Sequence, residues 1–157
     1  VNRRSTVQIR PLAPALLSFR SNSILKTGGA REKRRLQMLI AKNQEVETIK
    51  LTTIQGLPFN GNVTMKVMMA GENMNMLEIS YPAGSSSPPH AHEHESVAYV
   101  ISGRIKGTIE GESVILGPGD ACRHPEGVEH SVEAIEDAVI LEIKSPPQPL
   151  DQFLGPG

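Results

Sequence analysis

Tryptophan is absent from this sequence, and aromatic residues make up only 3% of it. That excludes an aromatic platform on which single-stranded nucleic acid could stack. Cysteine is nearly absent too: Cys122 stands alone, so no disulfide can form within the chain, which suits a reducing compartment. No apolar run approaches the ~18 residues that a membrane-spanning helix requires. These absences predict a cytoplasmic protein with neither nucleic acid nor membrane as partner. What remains, 157 residues, is enough for one domain with a real core.

Acidic residues are unevenly distributed. Residues 1–37 hold nine Lys or Arg against the single acid Glu32, a charge of +8, while the other 120 residues carry −9. The basic segment is rich in Arg and Ser. It reads as an organelle transit peptide or as translated sequence upstream of a true start at Met38, and the initial Val suits a processed, trimmed or mis-started chain. A basic arm for nucleic acid or an anionic membrane is the functional alternative, but no aromatic partner or folded motif accompanies it. After Gly28-Gly29, "AREKRRLQMLIAK" suggests one short basic helix, and import into an organelle is the minor alternative to a cytoplasmic location.

From Val46 onward the texture is that of β-structure. The runs "VTMKVMMA", "NMNMLEIS", "SVAYVIS", "RIKGTIE", "SVILG" and "AVILEIK" recur roughly every ten residues, which indicates an all-β sandwich or barrel. "AGEN" and "IEGES" occupy the places of hairpin turns. We divide the chain into a basic extension (1–45), a β-barrel (46–145) and a Pro-rich tail (146–157). In "SVAYVIS" both faces are apolar, with Ala98 and Val100 inward and Val97, Tyr99 and Ile101 outward. An outward apolar row calls for cover by another sheet, the N-terminal segment or a second subunit, and a homodimer is expected.

Three of the five histidines fall within "PPHAHEHES". On a strand, His90, His92, His94 and Ser96 point one way and Glu93 and Glu95 the other. Two imidazoles spaced i, i+2 can converge on one ion. The remaining histidines lie in "GPGDACRHPEGVEHSVEA", where the turn at Pro125-Glu126-Gly127 could bring His130 back toward the first histidine strand.

Together the two stretches resemble the cupin family, in its small single-domain, RmlC-like (cupin type 2) form. Gly84, His90, His92 and Gly103 match the first cupin motif; Gly119, Pro125, Gly127 and His130 match the second, with Ala134 where Asn is usual. Fifteen residues, 104–118, separate them, the compact spacing of microbial cupins. The resemblance implies a double-stranded β-helix or jelly-roll barrel and one divalent ion, Zn, Fe, Mn or Ni, ligated by His90, His92 and His130. The family's fourth ligand would fall at Ser96, so serine or water completes the shell; Glu95 and His94 rank behind it.

The segment is most similar to cupins acting on sugar acids, such as unsaturated uronates in pectin degradation, which carry Gln at the Ser96 position. This implies a metal-dependent enzyme acting on a small, anionic, oxygenated acid by isomerase or lyase chemistry. A three-histidine Fe(II) dioxygenase and a non-catalytic small-molecule-binding cupin are the alternatives. Candidates for acid–base chemistry are His124 and Tyr99, and for anchoring the substrate Arg123 and Lys106. Cys122 shares parity with His124 and reads as a small buried hydrophobe.

Overall fold

The computed structural model describes residues 39–148. The basic segment 1–38, including most of the expected short helix, and the end of the tail, 149–157, lie outside the described residues. No helix among those described is long and apolar enough to cross a membrane.

Among the described residues a 3-10 turn at Asn43–Glu45 precedes eleven strands: β1 (Ile49–Lys50), β2 (Thr53–Ile54), β3 (Leu57–Pro58), β4 (Thr64–Ala70), β5 (Asn75–Tyr81), β6 (Glu95–Ser102), β7 (Ile105–Ile109), β8 (Glu112–Leu116), β9 (Ala121–His124), β10 (His130–Ala134) and β11 (Ala138–Ser145). They form a six-stranded sheet, β1-β4-β5-β11-β6-β9, a three-stranded sheet, β10-β7-β8, and the small hairpin β2-β3. Every paired strand is antiparallel. Isolated bridges at Asn60, Ser86 and His90 widen the smaller sheet beyond β10. This is the jelly-roll barrel that the strand spacing and the two motifs predict.

Turn chemistry fixes the hairpins. In "IEGES", Glu110 and Gly111 both take positive φ, 50° and 83°, the two-residue turn whose twist matches the flanking strands β7 and β8. Gln55 and Gly56, at 53° and 77°, do the same between β2 and β3. Gly103 is demanded by closeness as well as by its φ of +73°: a Cβ there would lie 2.1 Å from the Asp137 carbonyl oxygen.

Alternation then sorts the side chains. On β6, Ser96, Ala98 and Val100 are buried, while Val97, Tyr99 and Ile101 are 40–46% exposed, as the sequence predicts. Leu51, Val63, Met65, Leu77, Ile79, Ile105, Val132 and Ile140 fill the interior. The expected strand through His90–His94 is corrected: β6 begins only at Glu95. Pro88-Pro89 brings no N–H to a ladder, and His92 spends its carbonyl on the turn at Gly127 rather than on a neighbouring strand.

Candidate functional site

Backbone hydrogen bonds bring the two motifs together. His90 and His130 exchange N–H and carbonyl in both directions, at 3.0 and 2.9 Å. The N–H of Gly127, whose φ of +73° lets the chain reverse, donates to the carbonyl of His92 at 2.9 Å. The Pro125-Glu126-Gly127 turn thus carries His130 back against the first motif.

The rings are oriented by the same backbone. Nδ1 of His90 lies 2.9 Å from the Pro88 carbonyl, that of His92 2.7 Å from the His94 carbonyl, and that of His130 2.9 Å from the Val128 carbonyl. A carbonyl only accepts, so each Nδ1 carries the proton and each Nε2 keeps its lone pair. One ligand nitrogen from each of the three lies within 4.8 Å of the others. Nε2 of His92 is buried with no partner among the described residues. Burial lowers the pKa of His90 and of His92 from 6.5 to about 4, and lowers that of His130. All three are therefore neutral at pH 7, the state in which imidazole ligates a metal.

A second group of polar side chains shares the interior. His124, at the end of β9, stacks on His130 with centroids 4.0 Å apart. Its Nδ1 lies 3.3 Å from Ser96 Oγ and its Nε2 3.4 Å from Cys122 Sγ. β11 contributes Glu142 and Lys144, both buried, joined at 3.2 Å. Burial alone would raise the Glu142 carboxyl, but the Lys144 ammonium, His124 and a hydrogen bond from Ser96 together bring it down to about 2. Since Ser96 donates to this carboxylate, its oxygen accepts from Nδ1–H of His124. That leaves Nε2 of His124 as the basic nitrogen, neutral at pH 7 because burial lowers its pKa to about 4. Tyr81 lies in the same interior, its phenol pushed up first by burial and then by Glu142.

His94 stacks on His92 at 3.6 Å, and its Nε2 lies 3.3 Å from Lys144 Nζ. The ammonium donates, so that lone pair is engaged. The cavity is lined by His90, His124, His130, Glu142, Lys144 and Tyr81, and closed by apolar side chains that include Leu51, Ile54 and Phe59. It leaves about 30 Å³ for water-sized molecules.

The structure places the other candidates elsewhere. Tyr99 is 45% exposed on the outer face of β6, opposite in parity to Ala98. Arg123 pairs outside the barrel with Glu95 at 3.3 Å, and the Lys106 ammonium pairs with Glu133 across β7 and β10. None of the three lines the cavity. Glu93 and Glu95 are exposed, whereas His90, His92 and His94 are buried. Cys122 packs against the core, and burial raises its pKa. Glu142, Lys144 and Tyr81 were not singled out from the sequence. Parity with Ala138 and Ile140 puts Glu142 and Lys144 inward, but Val139, Leu141 and Ile143 make the other face of β11 the more apolar one.

A barrel of this topology with histidines from two such motifs defines a cupin, and the comparisons agree. The cupin domain model matches residues 77–144. The pectin degradation protein KdgF of Dickeya dadantii is 30% identical over 80 residues, spanning 50% of this chain and 73% of that protein. The chain belongs to the cupin family. Among solved structures, KdgF from a Halomonas species superposes with a TM-score of 0.59 at 25% identity, covering 69% of this chain and 95% of that one. A Thermotoga maritima protein described as a predicted oxalate decarboxylase gives 0.62 at 21% identity, over 68% and 98%, a likeness of fold alone.

Proposed function

We propose that His90, His92 and His130 hold one divalent metal ion and that the protein is an enzyme acting on a small oxygenated acid, by isomerase or lyase chemistry on a sugar acid. The observation that carries this reading is the set of three Nδ1–H···O=C bonds, which leaves a lone pair free on each of three neutral rings, with one ligand nitrogen from each ring within 4.8 Å of the others. A buried nitrogen without a partner among the described residues, Nε2 of His92, fits a ligand atom. Three imidazoles suit Zn, Fe or Ni, and Mn remains open to a site completed by oxygen. Such an ion supplies Lewis acidity toward a carbonyl or hydroxyl oxygen.

The residues around it divide the remaining work. His124 moves the proton at Nε2, its ring held by Ser96 and, through Ser96, by Glu142. With neutral imidazoles and a paired Glu142 and Lys144, the interior is electrically balanced before a dication enters. An anionic ligand then offsets the added charge in surroundings that are otherwise apolar. Ile54 of β2 and Phe59 give the same space an apolar wall. The likeness to two KdgF proteins, one of them named for pectin degradation, supports a sugar acid as substrate.

The test is proton exchange in D₂O: metal-loaded protein incubated with a panel of sugar acids should incorporate deuterium at carbon, and His124→Ala should not. Oxygen uptake by the Fe(II)-loaded protein instead would favour a dioxygenase. Ligand binding with neither exchange nor oxygen uptake would favour a binding cupin. We further propose a homodimer in which the outer apolar row Val97, Tyr99 and Ile101, beside the half-buried Val139, Leu141 and Ile143, packs on a second copy.

A further inference from the structure

We propose that Lys144 is the residue that reads a carboxylate in the barrel interior, exchanging Glu142 for the incoming anion. The inference rests on the proposed function, and makes the ligand class an organic monoanion with its carboxylate directed toward β11.

Three observations support it. Lys144 is the one cationic side chain that lines the cavity among the described residues, its side chain 3% exposed. The cations named earlier as anchors, Arg123 and Lys106, are held outside by Glu95 and Glu133. Second, the register places Lys144 directly opposite Ser96 on β6. Position 96 is where a longer side chain would stand in the first motif; the small, buried serine leaves that level of the barrel to the ammonium. Third, Lys144 is held by a carboxylate already: Glu142 sits 3.2 Å away on the same strand and face. A buried ion pair contributes little to stability compared with apolar residues of the same shape. Ala138 and Ile140, inward on the same strand, show that apolar side chains fit this wall. The pair therefore marks a place where an ammonium is kept ready beside a displaceable carboxylate, and a flexible point charge suits such an exchange better than a rigid fork.

The test uses formate, a carboxylate small enough for the present cavity, titrated calorimetrically into zinc-loaded and into chelator-stripped protein at neutral pH. Four proteins are compared: the wild type, Glu142→Gln, Lys144→Arg, and the double variant Glu142→Gln/Lys144→Met, which removes both charges and strands neither. Loss of one charge-assisted contact should weaken formate by roughly tenfold or more in the double variant. Glu142→Gln, lacking the competing carboxylate, should bind formate more tightly than the wild type, and Lys144→Arg should keep measurable binding. Equal weakening by Glu142→Gln and the double variant would mark the pair as structural and overturn the proposal. So would a cooperatively melting double variant with wild-type affinity, or a wild type that binds no formate in either state. If the double variant fails to melt cooperatively, the sign of the Glu142→Gln effect decides alone. Zinc content is measured alongside: a wild type that takes up no zinc refutes the metal reading, while the difference between stripped proteins still decides the role of Lys144.

Discussion

His90 and His130 are joined by two backbone hydrogen bonds, each residue donating its N–H to the other's carbonyl. The bridge sets two stretches forty residues apart side by side, and the Nδ1–H bonds to Pro88 and Val128 then hold each ring in place. Ring geometry is thus fixed by main chain that the motifs themselves supply.

Acid should destabilise the metal-free protein well above the carboxylate range. Burial lowers His90, His92 and His124 to about 4 and His94 to about 3, from 6.5 when unfolded. Between these values the unfolded chain binds more protons, so stability is full above pH 6.5 and is lost as pH falls toward 4. Glu142, lowered from 4.5 to about 2, adds a loss below 4.5. The melting temperature of chelated protein should be level from about pH 8 to 7 and fall steadily below about 6.5. A melting temperature that stays level down to pH 5 would contradict this.

Gly103→Ala should be far more damaging than Gly127→Ala. Both glycines have φ of +73°, which an alanine adopts at roughly 1–2 kcal/mol. At Gly127 nothing lies within 4 Å of an added Cβ, so that is the whole effect. At Gly103 the Cβ would also meet the backbone of Asp137 and Ala138, at 2.1 and 2.7 Å. The main chain must shift, adding about 1–3 kcal/mol or more. Urea denaturation of the two variants should separate them clearly.

Ser96→Ala should cost about 1–3 kcal/mol of stability, because it strips a buried carboxylate and a buried imidazole of their shared partner. It should leave metal content unchanged, since His124 and Glu142 lie outside the three-histidine set. Thermal melts and elemental analysis on the same sample check both halves. Loss of metal on this substitution would make Ser96 a ligand.

The outer face offers a separate check. Tyr99→Lys adds charge to the exposed row between Val97 and Ile101. Sedimentation should show a wild-type dimer at micromolar concentration and a monomeric variant with an unchanged fold.

Much of the fold was legible because its signals are local. The runs that became β4 to β8 and β11 alternate or cluster apolar residues between turn formers, and the Glu110-Gly111 hairpin could be read from its residue types. The motif histidines were legible from their spacing, and His92 is buried and Glu93 exposed as alternation predicts, although the segment is not a strand. The polar half of the site was not. Glu142 and Lys144 sit inward on a strand whose outward residues, Val139, Leu141 and Ile143, look like the core face. Only the pairing of β11 with β6 shows which side is in, and that is a long-range fact. Tyr99, Arg123 and Lys106 were plausible by chemistry alone, but the β6 and β9 registers turn Tyr99 and Arg123 outward, and Lys106 ends in a surface pair with Glu133.

Metal analysis of the protein purified without added metal decides whether the three histidines hold an ion, with His92→Ala and Glu95→Gln measured beside the wild type. His92 brings a buried nitrogen that no other group satisfies among the described residues, whereas Glu95 is exposed and paired with Arg123 outside the barrel. About one divalent ion per chain is expected in the wild type and in Glu95→Gln, and loss of most of it in His92→Ala, since two imidazoles rarely hold an ion. A wild type that neither retains nor takes up an ion, or a Glu95→Gln variant stripped as fully as His92→Ala, would contradict it.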